Sequence, residues 1–176
     1  MSADYQDACE AYEKEEYEKA FELFYALAVD YDVSSQMNIA NMFLHGIGVT
    51  KDIKKAYSWY EQAAKKEDAE AQYIYGWYCL ENTKEIEGIQ YMAKSGDAGY
   101  ADAVYDLASF FLQGSHSCEK DTHKAILLYE QAVSLGKREA LNRLFYAKTQ
   151  ENGRLQASIY FLNNIFKFAK SLKQKA

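Results

Sequence analysis

Residues 55–64 read KAYSWYEQAA, and residues 124–133, 69 positions later, read KAILLYEQAV. A third version, KAFELFYALA, occupies 19–28, and a degenerate fourth, EGIQYMAKSG, occupies 87–96. The last three in chain order are each preceded by a matching segment: SQMNIANMF at 35–43, AQYIYGWYC at 71–79 and AVYDLASFF at 103–111. The reference residues Ala20, Ala56, Gly88 and Ala125 are 36, 32 and 37 positions apart. Self-similarity at such a period marks a repeat architecture. The variation falls in the linkers, where an added residue costs little.

Periodicity identifies both members of each pair as helices. Ala56, Trp59, Tyr60, Ala63 and Ala64 fall at i, i+3, i+4, i+7 and i+8, a stripe of period 3.6. Ala71, Tyr75 and Cys79 share a face, with Gly76 beside them. The small residues Ala40, Gly76 and Ala108 precede Ala56, Gly88 and Ala125, and are expected where paired helices approach closely. Gly46 and Gly48 in HGIGVTKD, followed by Asp52, read as a helix stop and the next N-cap, and Asp121 holds the same place in QGSHSCEKD. Two short amphipathic helices cannot bury their own apolar face, but stacked pairs can. The expectation is an all-α chain, an α-solenoid of about five antiparallel hairpins (3–30, 35–66, 69–95, 101–135 and 138–173) within one domain, 1–176, closed by a C-terminal capping helix. The absence of proline agrees with helices throughout.

Composition narrows the function. Apolar residues make up 49% and charged residues 26%, as in a soluble globular chain. No apolar run reaches the length of a membrane span. The opening MSADYQDACEAYEKEEYEKA is acidic from its fourth residue and does not read as a secretory leader. A net charge of −6 argues against general nucleic-acid binding. Its distribution is uneven: residues 1–36 hold ten acids and two lysines, residues 137–176 nine bases and two acids. The acidic front would attract a basic partner. Cys9, Cys79 and Cys118 are odd in number and lack a CxxC pair, which fits a reducing, cytoplasmic setting.

The stretch LHGIGVTKDIKKAYSWYEQAAKKEDAEAQYIYGWY resembles the Sel-one-like repeat (SLR) family, relatives of the tetratricopeptide repeats. The family's G-x-G-V, acidic residue, K-A-x-x-W-Y-x-x-A-A and A-x-A-Q are matched by Gly46, Gly48, Val49, Asp52, Lys55, Ala56, Trp59, Tyr60, Ala63, Ala64, Ala69, Ala71 and Gln72. The match is specific in 35–76, moderate in 101–140 and weak in 77–100, where the glycine loop is lost. The resemblance implies a protein-binding scaffold without catalytic activity, using a concave face lined by the first helix of each hairpin.

Counting three back and one forward from the small residue of each first helix gives two rows on that face. The first is Tyr5, Met37, Tyr73, Tyr105 and Asn142; the second is Cys9, Asn41, Trp77, Ser109 and Tyr146. Tyr12, Leu44, Leu80 and Leu112 extend it by one turn. Tyr, Trp and Met at open positions are what binding hot spots use. A second surface is expected at Phe161 and Phe168, seven apart on the flank of the C-terminal stripe. His116, Cys118 and His123 do not form a zinc pattern, so neither metal nor other cofactor is expected. The expected function is therefore an adaptor that binds one or more proteins. The alternatives are an immunity protein covering a cognate toxin and a structural module joining oppositely charged ends.

Overall fold

A computed structural model describes residues 3–152 and Tyr160. All regular structure in this range is helical: α1 (Ala3–Glu13), α2 (Tyr17–Val29), α3 (Val33–His45), α4 (Ile53–Lys65), α5 (Ala69–Glu81), α6 (Glu85–Asp97), α7 (Ala101–Gln113), α8 (Thr122–Ser134) and α9 (Ala140–Asn152). The chain divides into two compact units, Met1–Ala98 with α1–α6 and Gly99–Ala176 with α7–α9. Within each unit every helix packs on the next one in sequence. The hairpins expected at 3–30, 35–66, 69–95 and 101–135 correspond to α1–α2, α3–α4, α5–α6 and α7–α8, and of the fifth only α9 lies among the described residues. The capping helix expected at 154–173, with Phe161 and Phe168, lies outside the described residues.

Local chemistry sets the boundaries. Asp32, Asp52, Asp68 and Asp121 each sit before a helix, and each carboxylate accepts the backbone N–H three residues on, at 2.7, 3.0, 2.8 and 2.8 Å. A free helix N-terminus leaves such donors unsatisfied. Gly46 and Gly114 end α3 and α7 in the left-handed region, at φ 73° and 72°. The loops after them are also closed alike: Asp52 N–H donates to the Phe43 carbonyl at 2.9 Å, and Asp121 N–H to the Phe111 carbonyl at 2.8 Å. The second loop is one residue longer, and His116 and Ser117 take it up at positive φ. In the first loop Gly48 passes so close to the start of α2 that a β-carbon would lie 2.3 Å from the Tyr17 carbonyl oxygen.

Small residues carry the packing. Ala40, Ala56, Ala108 and Ala125 have no exposed surface. Gly76 and Gly88 bring α5 and α6 together so closely that a β-carbon on Gly88 would lie 2.7 Å from the Gly76 carbonyl oxygen. Buried glutamines tie successive hairpins: Gln36 Nε2 donates to the Ala28 carbonyl at 3.2 Å, and Gln72 Nε2 to the Ala64 carbonyl at 3.3 Å. Both carbonyls belong to the last turn of the preceding helix and also accept the backbone N–H three residues on, from Tyr31 and Glu67, each at 3.1 Å. In unit 2 the core of Ala108, Ala125, Tyr129, Ala132, Ala140 and Ala147 is fully enclosed.

Candidate functional site

The two expected rows lie on the first helices of the hairpins, and the residue opposite explains the identity of several members. Tyr60 of α4 is buried, and its hydroxyl donates to Asn41 Oδ1 at 2.7 Å. Burial pushes the Tyr60 hydroxyl up to about 12. At the equivalent place in unit 2, Tyr129 and Ser109 are hydrogen-bonded at 2.8 Å. Ser109 Oγ also donates to the Tyr105 carbonyl at 3.2 Å, so Tyr129 is the donor of the pair. Where the second helix carries Phe24 or Met92 instead of tyrosine, the row holds Cys9 or Trp77. A buried hydroxyl needs a partner and an apolar side chain does not. Asn41 and Ser109, expected as residues not needed for packing, thus have a structural duty.

Trp77 and Tyr73 of α5 are half-buried, as are Tyr5, Met37 and Tyr105. Tyr5 packs edge-on against Phe24 with ring centroids 5.6 Å apart, and its hydroxyl accepts from Asn38 Nδ2 at 3.1 Å. Tyr105 does the same against Tyr129 at 5.7 Å. Its hydroxyl interacts electrostatically with Arg143, and Lys137 Nζ stands 5.7 Å from its ring centre while also pairing with Asp102. Met37 packs against the core of unit 1. The Tyr5 and Tyr105 rings are oriented by these neighbours while part of each stays in solvent, which lowers the ordering cost of contact with a partner.

The row extension fares differently. Leu80 and Leu112 are buried in the core, Leu44 is half-buried, and Tyr12 is exposed and packed edge-on against Tyr17. In α9 the pattern shifts, because Phe145 stands where the other first helices have a small residue. Ala140, Leu144 and Ala147 face the core there, leaving Asn142 exposed and Tyr146 51% exposed.

Tyr25 and Tyr31 were not anticipated. They are 43% and 69% exposed. Tyr25 stacks on Phe21 and meets Trp59 edge-on at 5.7 Å, and Lys66 Nζ stands 5.0 Å from the centre of the Tyr31 ring. The signal for Tyr25 was in the repeats: KAFELFYALA has tyrosine where KAYSWYEQAA and KAILLYEQAV have glutamate.

Among the described residues no group of His, Cys, Asp and Glu is arranged to hold a metal, and no helix is long and apolar enough to cross a membrane. His116 lies edge-on to Phe110 at 4.5 Å, Cys118 is buried, and His123 Nδ1 is 3.0 Å from Glu151 Oε1. His116 and His123 thus meet different neighbours. Burial pushes the Cys79 thiol up, as expected for a small core side chain and not for a nucleophile.

The family model of the Sel1 repeat matches residues 33–68, 69–82 and 101–137. These segments correspond to α3–α4, α5 alone and α7–α8. A Sel1-like repeat-containing protein of Acanthamoeba polyphaga mimivirus is 37% identical over 82 residues, covering 47% of this chain and 15% of the relative. The chitin synthase regulator SKT5 of Saccharomyces cerevisiae is 29% identical over 139 residues, covering 72% of this chain and 20% of the relative. The chain thus spans a fifth or less of the length of these curated relatives. A Sel1 repeat protein from Oxalobacter formigenes has the same fold, with a TM-score of 0.75 and 22% identity over 90% of this chain and 70% of the other. With its repeat motifs, its paired helices and these matches in agreement, the chain belongs to the Sel1 repeat family.

Proposed function

We propose that this chain is an adaptor that binds a partner protein on the first-helix faces of its hairpins. Tyr73 and Trp77 are the anchors in unit 1, and Tyr105 and Tyr146 those in unit 2. Sel1 repeat proteins generally mediate protein–protein interaction, and their fold is typically a non-catalytic scaffold. The observation that carries the reading is the placement of half-exposed aromatic rings at repeat-equivalent positions of first helices, on a backbone fixed by the alanine and glycine core. Aromatic anchors of this kind supply most of the energy of an interface. Tyr5 and Met37 extend the face in unit 1, while Asn41 and Ser109 contribute their positions chiefly by holding Tyr60 and Tyr129.

The test is affinity capture from the source cell with mass spectrometry, comparing wild type with a folded Tyr73→Ala/Trp77→Ala/Tyr105→Ala variant. A stoichiometric partner lost in the variant supports the reading. A partner retained by the variant contradicts it. A basic toxin as that partner is the narrower, immunity version of the same proposal.

A second reading rests on charge. Unit 1 holds nine bases against nineteen acids, and unit 2 eleven bases against seven acids. Opposite signs on one chain favour association between copies, which salt screens. Sedimentation showing oligomers at low salt that dissociate at high salt favours this reading, and a monomer in both conditions rejects it.

A further inference from the structure

Unit 2 contains a cleft of about 370 Å³ between the end of α7, the loop before α8, and α9. Its charged lining residues are Lys120 and Arg143, both exposed, and neither makes an ion pair among the described residues. The polar neutral lining is Gln113, Thr122 and Gln150, and Tyr146 provides an exposed ring. Among the described residues no Asp or Glu lines the cleft. Of the acids nearby in sequence, Asp121 caps α8, Glu151 faces His123, and Glu119 is exposed and not among the lining residues. The Arg143 guanidinium interacts electrostatically with the Tyr105 hydroxyl. A guanidinium has five N–H donors, so most remain for another acceptor. Residues 153–176 of the chain hold five bases and no Asp or Glu, so they offer no carboxylate side chain to this cleft.

We infer that this cleft is a recognition site for an acidic peptide segment of the partner, with a carboxylate between Arg143 and Lys120 and the adjoining chain against Tyr146. Arginine's planar fork suits a carboxylate, lysine adds a mobile point charge, and the volume suits a side chain and its neighbours. The site rests on the adaptor reading and deepens it. It sets unit 2 apart from unit 1, whose excess of acids attracts basic surfaces.

The experiment uses the full chain and fluorescence polarisation. The probes are a fluorescein-labelled hexaglutamate with blocked ends, the matching hexalysine, and a labelled six-nucleotide oligothymidylate. The hexaglutamate should bind, its affinity should fall with salt, and Lys120→Glu/Arg143→Glu should weaken it about tenfold or more, as expected for losing hydrogen bonds between charged groups. The neutral pair Lys120→Gln/Arg143→Gln should give an intermediate loss, and circular dichroism checks that both variants fold. Equal binding of hexaglutamate to wild type and variants overturns the proposal, as does no binding to wild type. Tighter binding of oligothymidylate through the same two residues also overturns it, in favour of a phosphate site. If the peptide fails while the Tyr73/Trp77/Tyr105 variant still loses its captured partner, this inference falls and the adaptor reading stands.

Discussion

In hairpin α3–α4 the fully buried position of the second helix is Tyr60, whose hydroxyl reaches Asn41 on the first helix; in α5–α6 the same position is Met92, and the first helix carries Trp77. The helix contact differs too. Ala40 and Ala56 separate α3 from α4, whereas Gly76 and Gly88 let α5 and α6 touch backbone to backbone. The loop differs as well: Gly46 and Gly48 shape the first, while α5 and α6 are joined by three residues with Thr83 at φ 62°. The difference teaches how a repeat separates packing from binding. A buried hydroxyl commits the first-helix residue to accepting its hydrogen bond, and a thioether makes no such demand. Loss of that constraint allows a large aromatic at a position that stays half-exposed.

Breaking each hairpin at its own contact sharpens this comparison. Tyr60→Ala should have the largest effect, costing about 3–5 kcal/mol in denaturant unfolding, because it leaves a cavity and removes the hydroxyl. Gly88→Ala comes next, at about 1–3 kcal/mol destabilising. In an ordinary helix interior the same change stabilises by about 1 kcal/mol, so its sign distinguishes a close contact from an open one. Trp77→Ala should cost about 1–2 kcal/mol, since only part of the ring leaves solvent on folding, while weakening partner binding severely. Tyr60→Phe should cost the least, about 0.5–1.5 kcal/mol, and a double-mutant cycle with Asn41→Ala should assign that loss to the hydrogen bond.

Alkaline unfolding gives a further check. The Tyr60 hydroxyl holds its proton up to about 12 in the folded chain, against an ordinary value of 10.0. Between those values the folded state binds more protons than the unfolded state, so stability falls as pH rises through that window. The contribution is fully present below pH 10 and lost by pH 12. Tyr60→Phe should make the fall shallower, and an unchanged slope would show that Tyr60 is not the buried phenol responsible.

Much of the fold was legible because its contacts repeat. Small residues at fixed places in each copy marked the helix crossings, and Asp52 and Asp121 announced their helices. The caps at Asp32 and Asp68 follow the same chemistry but precede helices without a glycine loop to draw attention to them. The duty of Asn41 was hidden because its partner lies 19 residues away on another helix, and no local period links them. Trp59, on the same stripe as the buried Tyr60, is half-buried, and the exposed Tyr25 of α2 meets it edge-on. Leu80 and Leu112 went the other way: one further turn along the helix brings the row into the core. The basic cleft was illegible for a different reason, since Lys120 and Arg143 lie 23 residues apart and converge only through the packing of α7–α9.

The most direct test of the central claim is amide hydrogen exchange on the chain alone and in complex with its captured partner. Exchange should slow in α5 and α7, around Tyr73, Trp77 and Tyr105, with little change in α2, α4 and α8. Protection confined to α2 and α4, around Tyr25 and Trp59, would contradict the account and move the binding surface to the second helices.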